Sequence, residues 1–345
     1  MTTEALVIAL VLDSRNYGGI ETHVANLAKG LHKSGHHIHI VLLNNYGEHP
    51  VFESDAFLST ILVKLDGKLS ALYTFLNNSN IDLVHTHGYK AGIIGRINCK
   101  LLNKTVVSTF HSGEKGNVKI RFYRWLDSIT VQSSPCICVS QQIKESAKLT
   151  AEVIVNFIEL PAKINTTAPA TQIAFVGRLS YEKGPDLFLR LAKQLPQFSF
   201  AMYGDGPMLK EVSANATTNV RIMGHIKAME QHWENIKFLC ITSREEGLPL
   251  VAIEALVRGI PVISFDIGGL AAVVINEVNG WLIPPFNEAL FIDAIKQGHM
   301  LSSKQRKAMS SSAYQHIKNN FSSAAIIPQI ANVYRMALKG GSHAK

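Results

Sequence analysis

Residues 243–269, SREEGLPLVAIEALVRGIPVISFDIGG, read as a loop, a helix and a buried strand that ends in paired glycines. The apolar residues that follow Pro249 have helical spacing, Gly259 is placed to end that helix, and IPVISF is typical of a central parallel strand. Glu246 therefore falls in the loop, and Glu254 lies one to two turns into the helix. Two carboxylates at a strand-to-helix corner are predicted to face the carboxyl edge of a sheet, where open α/β proteins bind ligands.

Short apolar runs alternate with helical segments along all 345 residues, which predicts parallel sheets covered by helices on both faces. The length suits two domains of roughly 150 to 170 residues each. Residues 156–172 contain two prolines and several threonines and are predicted to link two doubly wound halves that enclose a cleft. The predicted strands are 5–12, 37–43, 81–85, 105–110, 136–140, 173–176, 198–203, 220–224, 236–242, 260–265 and 280–283.

Composition narrows the class of protein without choosing a partner. A net charge of +8 favours an anionic partner such as a nucleotide, a phospholipid surface or nucleic acid, and an ordinary basic enzyme fits equally well. Cys99, Cys136, Cys138 and Cys240 lack CxxC or metal-ligand spacing, which predicts buried free thiols in a reducing cytoplasm. The apolar N-terminus carries Glu4 in place of a basic region and is read as a strand, not a signal peptide. No stretch reaches the roughly 18 apolar residues of a membrane helix.

A glycine pair, Gly18 and Gly19, stands between the first predicted strand and the first predicted helix. Backbone amides in such a turn can approach an anion closely at the positive end of the helix dipole. The dinucleotide fingerprint GxGxxG is not present, because no third glycine follows at the required spacing. A phosphate site and a plain tight turn both fit this pair.

Histidines follow two of the predicted strands, in DLVHTHGYKAGIIGR and VVSTFHSGEKG. His85 and His87 are two residues apart, so their rings are expected on one face of a strand, with His111 at the end of the next. No acidic residue shares their spacing, so we predict no metal site. We expect polar contacts to a ligand instead, with His111 as the strongest candidate.

Two groups of basic residues point to anionic ligands. Arg178 and Lys183 lie at a strand-to-helix turn, where their side chains can grip a diphosphate, although a solvated basic turn would have the same pattern. Residues 115–126, KGNVKIRFYRWL, combine basic and aromatic residues, which is typical of a helix on an anionic membrane surface and also of an amphipathic helix whose aromatic side packs inward. No helix-turn-helix, RNP or zinc pattern accompanies the charge, so nucleic acid is not a predicted partner.

The motifs GGIETHVANLAKGL, VHTHGYKAGIIGR, STFHSGE, GRLSYEKG, YGDGP, VRIMGHI and SREEGLPLVAIEALVRGIPVI resemble, in this order, the retaining family 4 glycosyltransferases. The most specific of them is the E-x7-E motif formed by Glu246 and Glu254. The resemblance implies the GT-B fold, in which two Rossmann-like doubly wound domains face each other across a cleft. It assigns acceptor binding to residues 1–160, with a C-terminal helix at about 325–340 packing back on them, and donor binding to residues 161–324.

The resemblance also implies roles for single residues. Glu254 is similar to the residue that binds the ribose hydroxyls, Glu246 to the one that contacts the donor sugar, and Arg178 and Lys183 to the pair that holds the diphosphate. His111 matches the histidine beside the transferred sugar. The remaining donor contacts implied are with the diphosphate and with the base-binding turn, at Gly18, Gly19, Leu248, Leu250, Gly224 and His225.

The sequence departs from the family pattern in two places. Ala271 and Ala272 stand where an acidic residue usually follows the glycine pair, and residues 156–159 read NFIE in place of an NGID-like turn. The expected activity is sugar transfer from a nucleotide-diphosphate sugar, without metal or cofactor, to a glycan or lipid-linked acceptor of the cell envelope. The expected location is cytoplasmic, at the inner face of the membrane. The alternatives are another GT-B enzyme, such as a nucleotide-sugar epimerase, and a non-catalytic nucleotide-sugar-binding protein.

Overall fold

The computed structural model describes residues 5–15, 18–111, 126–127, 129–131, 134–147, 149–161, 170–226 and 229–341. The chain divides into two compact units, one made of Met1–Glu159 with Ser323–Lys345 and the other of Leu160–Ser322. The basic aromatic segment 115–126 lies outside the described residues except for Leu126, as do residues 162–169 of the predicted linker.

The first unit is built on a seven-stranded sheet in the order β3-β2-β1-β4-β5-β6-β7. Every neighbouring pair in it is parallel. The strands are β1 Val7–Leu12, β2 His37–Leu42, β3 Leu62–Lys64, β4 Leu83–His87, β5 Thr105–Phe110, β6 Cys136–Cys138 and β7 Glu152–Val153. The helices along this part of the chain are α1 Gly19–Lys33, α2 Ala56–Thr60, α3 Leu69–Asn78, α4 Tyr89–Leu101 and α5 Gln141–Ala147.

The second unit has a six-stranded sheet in the order β10-β9-β8-β11-β12-β13. Its neighbouring strands are also all parallel. The strands are β8 Gln172–Val176, β9 Phe200–Tyr203, β10 Val220–Gly224, β11 Ile236–Ile241, β12 Val262–Phe265 and β13 Gly280–Ile283. The helices are α6 Pro185–Gln194, α7 Leu209–Asn215, α8 Leu250–Leu256, α9 Glu288–Met300 and α10 Ser303–Asn320.

Alternate side chains of a strand point to opposite faces of its sheet, and β1 shows why the chain needs helices on both. Ile8, Leu10 and Leu12 belong to a core that includes residues of α1, whereas Ala9 and Val11 belong to a second core that includes residues of α3 and α4. All five side chains are buried. The two parallel-sheet Rossmann-like units confirm the fold class predicted from the alternating apolar runs.

The last helix, α11 Ser323–Gly341, returns to the first unit. Its Tyr334 is fully buried, and the hydroxyl lies 2.7 Å from Nδ1 of His85. Its Ile327 lies so close to Gly30 of α1 that a Cβ at that glycine would come within 2.6 Å of the isoleucine side chain. A core residue, a hydrogen bond and a helix-to-helix contact therefore hold α11 on this unit.

Some features differ from the sequence-based expectation. The strands β3 and β7 were not predicted, because each has only two or three residues and lies at an edge of its sheet. Phe157 falls in the predicted linker but is fully buried in the first core. All four cysteines are buried free thiols, as predicted. Within the described residues, no helix combines the length and the apolar character needed to cross a membrane.

Candidate functional site

The predicted donor residues lie at the carboxyl edge of the second sheet. The strands β8 and β11 are hydrogen-bonded neighbours, so the segments that leave their carboxyl ends start side by side. Arg178 follows β8, and Lys183 lies in the single 3₁₀ turn that comes next. Glu246 lies in the loop after β11, and Glu254 lies inside α8, as the spacing predicted. One edge of one sheet thus carries all four residues.

Lys183 and Glu246 form an ion pair. The lysine Nζ lies 2.8 Å from Oε1 and 2.9 Å from Oε2 of the glutamate, and Ser243 Oγ donates a further hydrogen bond of 2.7 Å to Oε1. The Glu246 side chain is only 6% exposed, whereas that of Lys183 is 33% exposed. The sequence predicted separate roles for these residues but not this pair. Because an ammonium group has three protons, Lys183 can keep Glu246 and still donate to another oxygen.

Backbone contacts hold the two loops that carry this pair against each other. Gly184 has φ +65°, and a Cβ there would overlap the carbonyl oxygen of Thr242, whose hydroxyl donates to the Gly184 carbonyl at 2.8 Å. The amide of Arg244 donates to the carbonyl of Glu182 at 2.7 Å, and its guanidinium pairs with Asp186 at 2.6 Å. Only glycine allows the backbone at position 184 to lie this close to the Thr242 carbonyl, and this contact determines the position of the neighbouring Lys183.

The paired glycines after β12 support the same loop from the other side. Gly268 has φ +59°, and a Cβ there would overlap the carbonyl of Glu246. The amide of Gly269 donates to the Gly247 carbonyl at 2.5 Å. The glycine pair therefore lets the chain after β12 pack directly on the backbone of the loop that carries Glu246.

Glu254 is partly buried and faces a basic neighbour. The guanidinium of Arg258 donates to the Glu254 backbone carbonyl at 2.8 Å and lies 5.2 Å from the ring centre of Trp233. Burial raises the pKa of the Glu254 carboxyl, while Arg258 opposes the rise and Glu230 adds to it. Among the described residues, nothing donates a hydrogen bond to this carboxylate. It is available as an acceptor for the hydroxyls of a ligand.

The other residues predicted to contact the sugar nucleotide are either exposed side chains or positions where only the backbone can reach a ligand. Arg178 and His225 are exposed at the ends of β8 and β10, and the Arg178 side chain has no hydrogen bond to the described part of the chain. Gly224 ends β10 with φ +69°, and its carbonyl accepts from Gly204 at 2.8 Å. Leu248 and Leu250 have buried side chains, so a ligand at this edge would meet their backbone only.

At the first sheet, the glycine turn holds an acidic side chain. Gly18 caps α1 in an extended conformation, and a Cβ on it would come within 2.6 Å of Oε2 of Glu21. Ser14 donates to Oε1 of the same carboxylate. Burial raises the pKa of Glu21. Gly19 has open space around its Cα. An acidic group therefore shares the turn that the sequence assigned to an anion, and the phosphate contact stays a prediction.

The strand-end histidines divide into structural and available groups. His85 and His87 point to one face of β4, as predicted, with ring centres 4.2 Å apart. His85 is fully buried, and both of its ring nitrogens have internal partners at 2.7 Å, the hydroxyls of Tyr334 and Thr109. The prediction that His85 contacts a ligand is therefore wrong, because its hydrogen-bonding capacity is used to fasten α11 and β5.

His111 lies just after β5 and is only partly buried. Its Nε2 lies 3.1 Å from Nδ1 of His87, and its ring centre lies 4.7 Å from that of His23. Burial lowers the pKa of His111 well below its usual range, and His23 and His85 lower it further, so the ring is neutral near pH 7. Sequence reasoning missed His23, which lies on α1.

Comparisons with known proteins identify the family of the chain. Residues 17–158 match the model of Glycosyltransferase Family 4, and residues 156–316 match that of Glycosyl transferases group 1. The chain belongs to the family 4 glycosyltransferases. It is thus a retaining glycosyltransferase that moves a sugar from a nucleotide sugar, and the two parallel-sheet units are those of the GT-B fold.

Among curated relatives, the chain is similar to the UDP-Gal:α-D-GlcNAc-diphosphoundecaprenol α-1,3-galactosyltransferase of Escherichia coli, with 28% identity over 315 residues, 79% of this chain and 80% of the relative. The sucrose-phosphate synthase of Thermosynechococcus elongatus superposes with a TM-score of 0.82 at 19% identity, covering 97% of this chain and 100% of that one. HepE of Anabaena in complex with UDP-glucose superposes with a TM-score of 0.80 at 19% identity, covering 96% and 100%. The two structures support the fold.

Proposed function

We propose that this family 4 glycosyltransferase transfers a hexose from a UDP-sugar to a glycan or lipid-linked acceptor in the synthesis of a cell-envelope polysaccharide or glycolipid. The observation that carries the proposal is the Lys183–Glu246 ion pair, held at the same sheet edge as the exposed Arg178. Glu254 lies at the same edge, and no described residue donates a hydrogen bond to its carboxylate. Cationic side chains suit the central diphosphate of a sugar nucleotide, and carboxylates suit the hydroxyls of the sugar and the ribose on either side of it.

The diphosphate leaving group sets the main electrostatic requirement. Cleavage of the bond between sugar and nucleotide increases the negative charge on a group that is already anionic, so fixed donors must stabilise it. The sequence contains no DxD pair for a metal, and we assign the task to Arg178 and Lys183. Arg178 supplies a planar multidentate donor, and Lys183 supplies its third proton while it remains bonded to Glu246.

The surroundings of Glu246 favour transfer without a protein nucleophile. Both carboxylate oxygens already accept from Lys183, and one also accepts from Ser243. An in-line attack on the sugar would require this carboxylate to leave those donors. We therefore favour departure and attack on one face of the sugar, with the leaving phosphate accepting the proton of the acceptor hydroxyl. Glu246 then contacts the donor sugar and positions Lys183.

The other roles follow the shape of the donor. Glu254 accepts from the ribose hydroxyls, because its partly buried carboxylate has no competing donor among the described residues. Gly224 and His225 contact the base, and the backbone near Leu248 and Leu250 assists at the diphosphate. His111, neutral through burial, contacts the transferred sugar, because a neutral imidazole can either donate to or accept from a hydroxyl.

The acceptor part of the proposal rests on the Escherichia coli relative, whose name includes a diphosphoundecaprenol-linked sugar. A net charge of +8 and the basic aromatic composition of residues 115–126 support contact with an anionic membrane surface. We place the enzyme at the cytoplasmic face of the membrane, where nucleotide sugars are available. Residues 1–160 would bind the acceptor and residues 161–324 the donor.

A panel of UDP-, GDP- and ADP-sugars tests the donor by thermal shift, since a ligand that binds only the folded state raises the melting temperature. We expect UDP-sugars to stabilise the protein more than the other two classes. The stabilising sugar is then offered with a GlcNAc-diphospholipid acceptor, and the product is identified by mass spectrometry. Formation of a new sugar without acceptor would indicate an epimerase. Stabilisation by GDP- or ADP-sugars alone would contradict the proposed donor.

A further inference from the structure

Three histidines from separate parts of the first unit meet at the carboxyl edge of its sheet. His23 comes from the second turn of α1, His87 is the last residue of β4, and His111 follows β5. One ring nitrogen from each lies within 4.8 Å of those of the other two. His87 Nδ1 and His111 Nε2 are 3.1 Å apart. Imidazole nitrogens at such separations can be linked by a hydrogen bond or can bind one cation.

A buried nitrogen without a hydrogen-bond partner provides the second observation. His23 is 3% exposed, and its Nε2 has no hydrogen-bond partner in the described structure. His23 Nδ1 lies 3.1 Å from Oδ1 of Asn156. An amide oxygen only accepts, so Nδ1 carries the proton and Nε2 presents a lone pair. Metal-binding histidines are oriented in this way, by a carbonyl oxygen on the other ring nitrogen.

The protonation state of the cluster suits a cation. Burial lowers the pKa of His23 to about 4, despite the opposing hydrogen bond to Asn156, and lowers the pKa of His87 and His111 well below the usual range. A metal ion at neutral pH would therefore displace no proton from a charged imidazolium. His85 is adjacent but is not a candidate, because Tyr334 and Thr109 occupy both of its nitrogens.

We propose that His23, His87 and His111 form a three-histidine site for a divalent transition-metal ion of the Zn²⁺ class. Three imidazoles without a carboxylate favour zinc, copper, nickel or cobalt over magnesium or calcium. Zn–N bonds of about 2.0 to 2.1 Å place tetrahedral ligand nitrogens about 3.3 to 3.4 Å apart. The 3.1 Å pair, His87 Nδ1 with His111 Nε2, is close to that value, and the longest separation, up to 4.8 Å, has to shrink by roughly 1.5 Å when the ion binds.

The bound ion would hold the enzyme in an inactive state. His111 is the residue assigned to the transferred sugar, and as a metal ligand it could no longer turn toward that substrate. This consequence rests on the proposed function, whereas metal binding itself does not. The site departs from the sequence-based prediction of no metal, which considered His85, His87 and His111 and lacked the ligand on α1.

Titration of the tag-free, full-length, EDTA-treated protein with Zn²⁺ and Co²⁺ tests the site. Calorimetry is expected to give one tight equivalent of Zn²⁺, and Co²⁺ to give the visible absorption of a tetrahedral complex. His23→Gln and His87→Gln should each weaken Zn²⁺ binding by more than about 100-fold, and Asn156→Ala by about 10-fold through loss of ring orientation. The exposed His37 provides the matched control, so His37→Gln should bind Zn²⁺ as the wild type does.

Circular dichroism identifies any variant that does not fold, and only the Zn²⁺ affinities of the folded variants are compared. Equal Zn²⁺ affinity in the wild type and His23→Gln would overturn the site.

The inactive state is tested by assaying sugar transfer at one equivalent of Zn²⁺. We expect the wild type to lose transfer activity and to recover it when EDTA is added. We expect His23→Gln to be inhibited less, relative to its own metal-free rate. A wild-type protein that binds Zn²⁺ and keeps full transfer would overturn the inactive state. A protein with no transfer in metal-free buffer would contradict the proposed function and leave the binding result intact.

Discussion

The two sheets present opposite chemistry at the same topological position. At the carboxyl edge of the first, His23, His87 and His111 are neutral rings packed against one another. At the carboxyl edge of the second, Lys183 and Glu246 are charged and paired. Both edges are built from parallel strands that end side by side, so topology alone does not decide what an edge binds.

Burial and pairing explain the difference. An isolated imidazolium loses its hydration when it is buried without a counter-charge, so the histidines of the first edge stay neutral. Lys183 remains a third exposed and has a carboxylate within 3 Å, so it can keep its charge. The second edge therefore suits a charged leaving group, whereas the first suits hydroxyls or a transition-metal cation. Substitutions of side chains at the second edge should change catalysis, and substitution of His23 at the first edge should change the pH dependence of stability.

Arg178→Ala should give the largest effect. The variant loses the donor that we propose for the diphosphate, and the loss of one preorganised donor costs about 3 to 4 kcal/mol of transition-state stabilisation, or about 100- to 1000-fold in turnover. Lys183→Ala should lower turnover on the same scale. The measurement is the steady-state rate of UDP release with acceptor present.

The matched control is Arg190→Ala. Arg190 is an exposed arginine of the same unit that pairs with Glu288 at 2.6 Å on the surface, and an exposed pair of this kind contributes about 1 kcal/mol or less. Its removal should leave turnover unchanged. A folded Arg178→Ala protein with wild-type turnover would show that the charged edge does not hold the leaving group.

The two glutamates should separate by kinetic parameter. Glu254→Ala removes the acceptor that we propose for the ribose in both ground and transition states, so we expect affinity for the sugar nucleotide to fall by about 10- to 100-fold with little change in turnover. Glu246→Ala removes the partner that positions Lys183, so we expect mainly turnover to fall. Donor titration calorimetry combined with initial rates distinguishes the two. The same pure loss of affinity in both variants would contradict this division of roles.

The sequence was sufficient for the architecture and for the placement of Glu246 and Glu254 on the second unit. Apolar periodicity predicted the parallel sheets, and the loop-to-helix placement of Glu246 and Glu254 followed from Gly247, Pro249 and the spacing after them. It could not show that Lys183 bonds to Glu246, because 63 residues separate them and the contact depends on glycine packing at Gly184 and Gly268.

The histidine edge was harder to predict, for a physical reason. His87 and His111 end adjacent strands, so their proximity follows from the topology of the sheet. His23 belongs to α1, and the apolar residues of that helix indicate only that one of its faces is buried. Helical periodicity does not indicate which strand ends lie next to that face. His85 lies on the same face of β4 as His87, yet its partners Tyr334 and Thr109 come from elements distant in sequence.

The pH dependence of stability should give the smallest effect. Because burial lowers the pKa of His23 to about 4, the unfolded chain takes up a proton as pH falls below about 6.5 while the folded state does not. Stability is therefore lost on acidification from about pH 6.5 toward pH 4, by about 1.4 kcal/mol per pH unit for this one group. His23→Gln has no such proton to take up, so its loss of stability between pH 6.5 and 5.5 should be smaller than that of the wild type by about 1 kcal/mol, because protonation of the unfolded chain is only half complete at pH 6.5. Urea unfolding in EDTA at the two pH values measures the difference, with His37→Gln as control.

An identical pH dependence of stability in the wild type and His23→Gln would mean that His23 is not held neutral in the folded state. The contrast between the neutral edge and the charged edge would then fail at that residue.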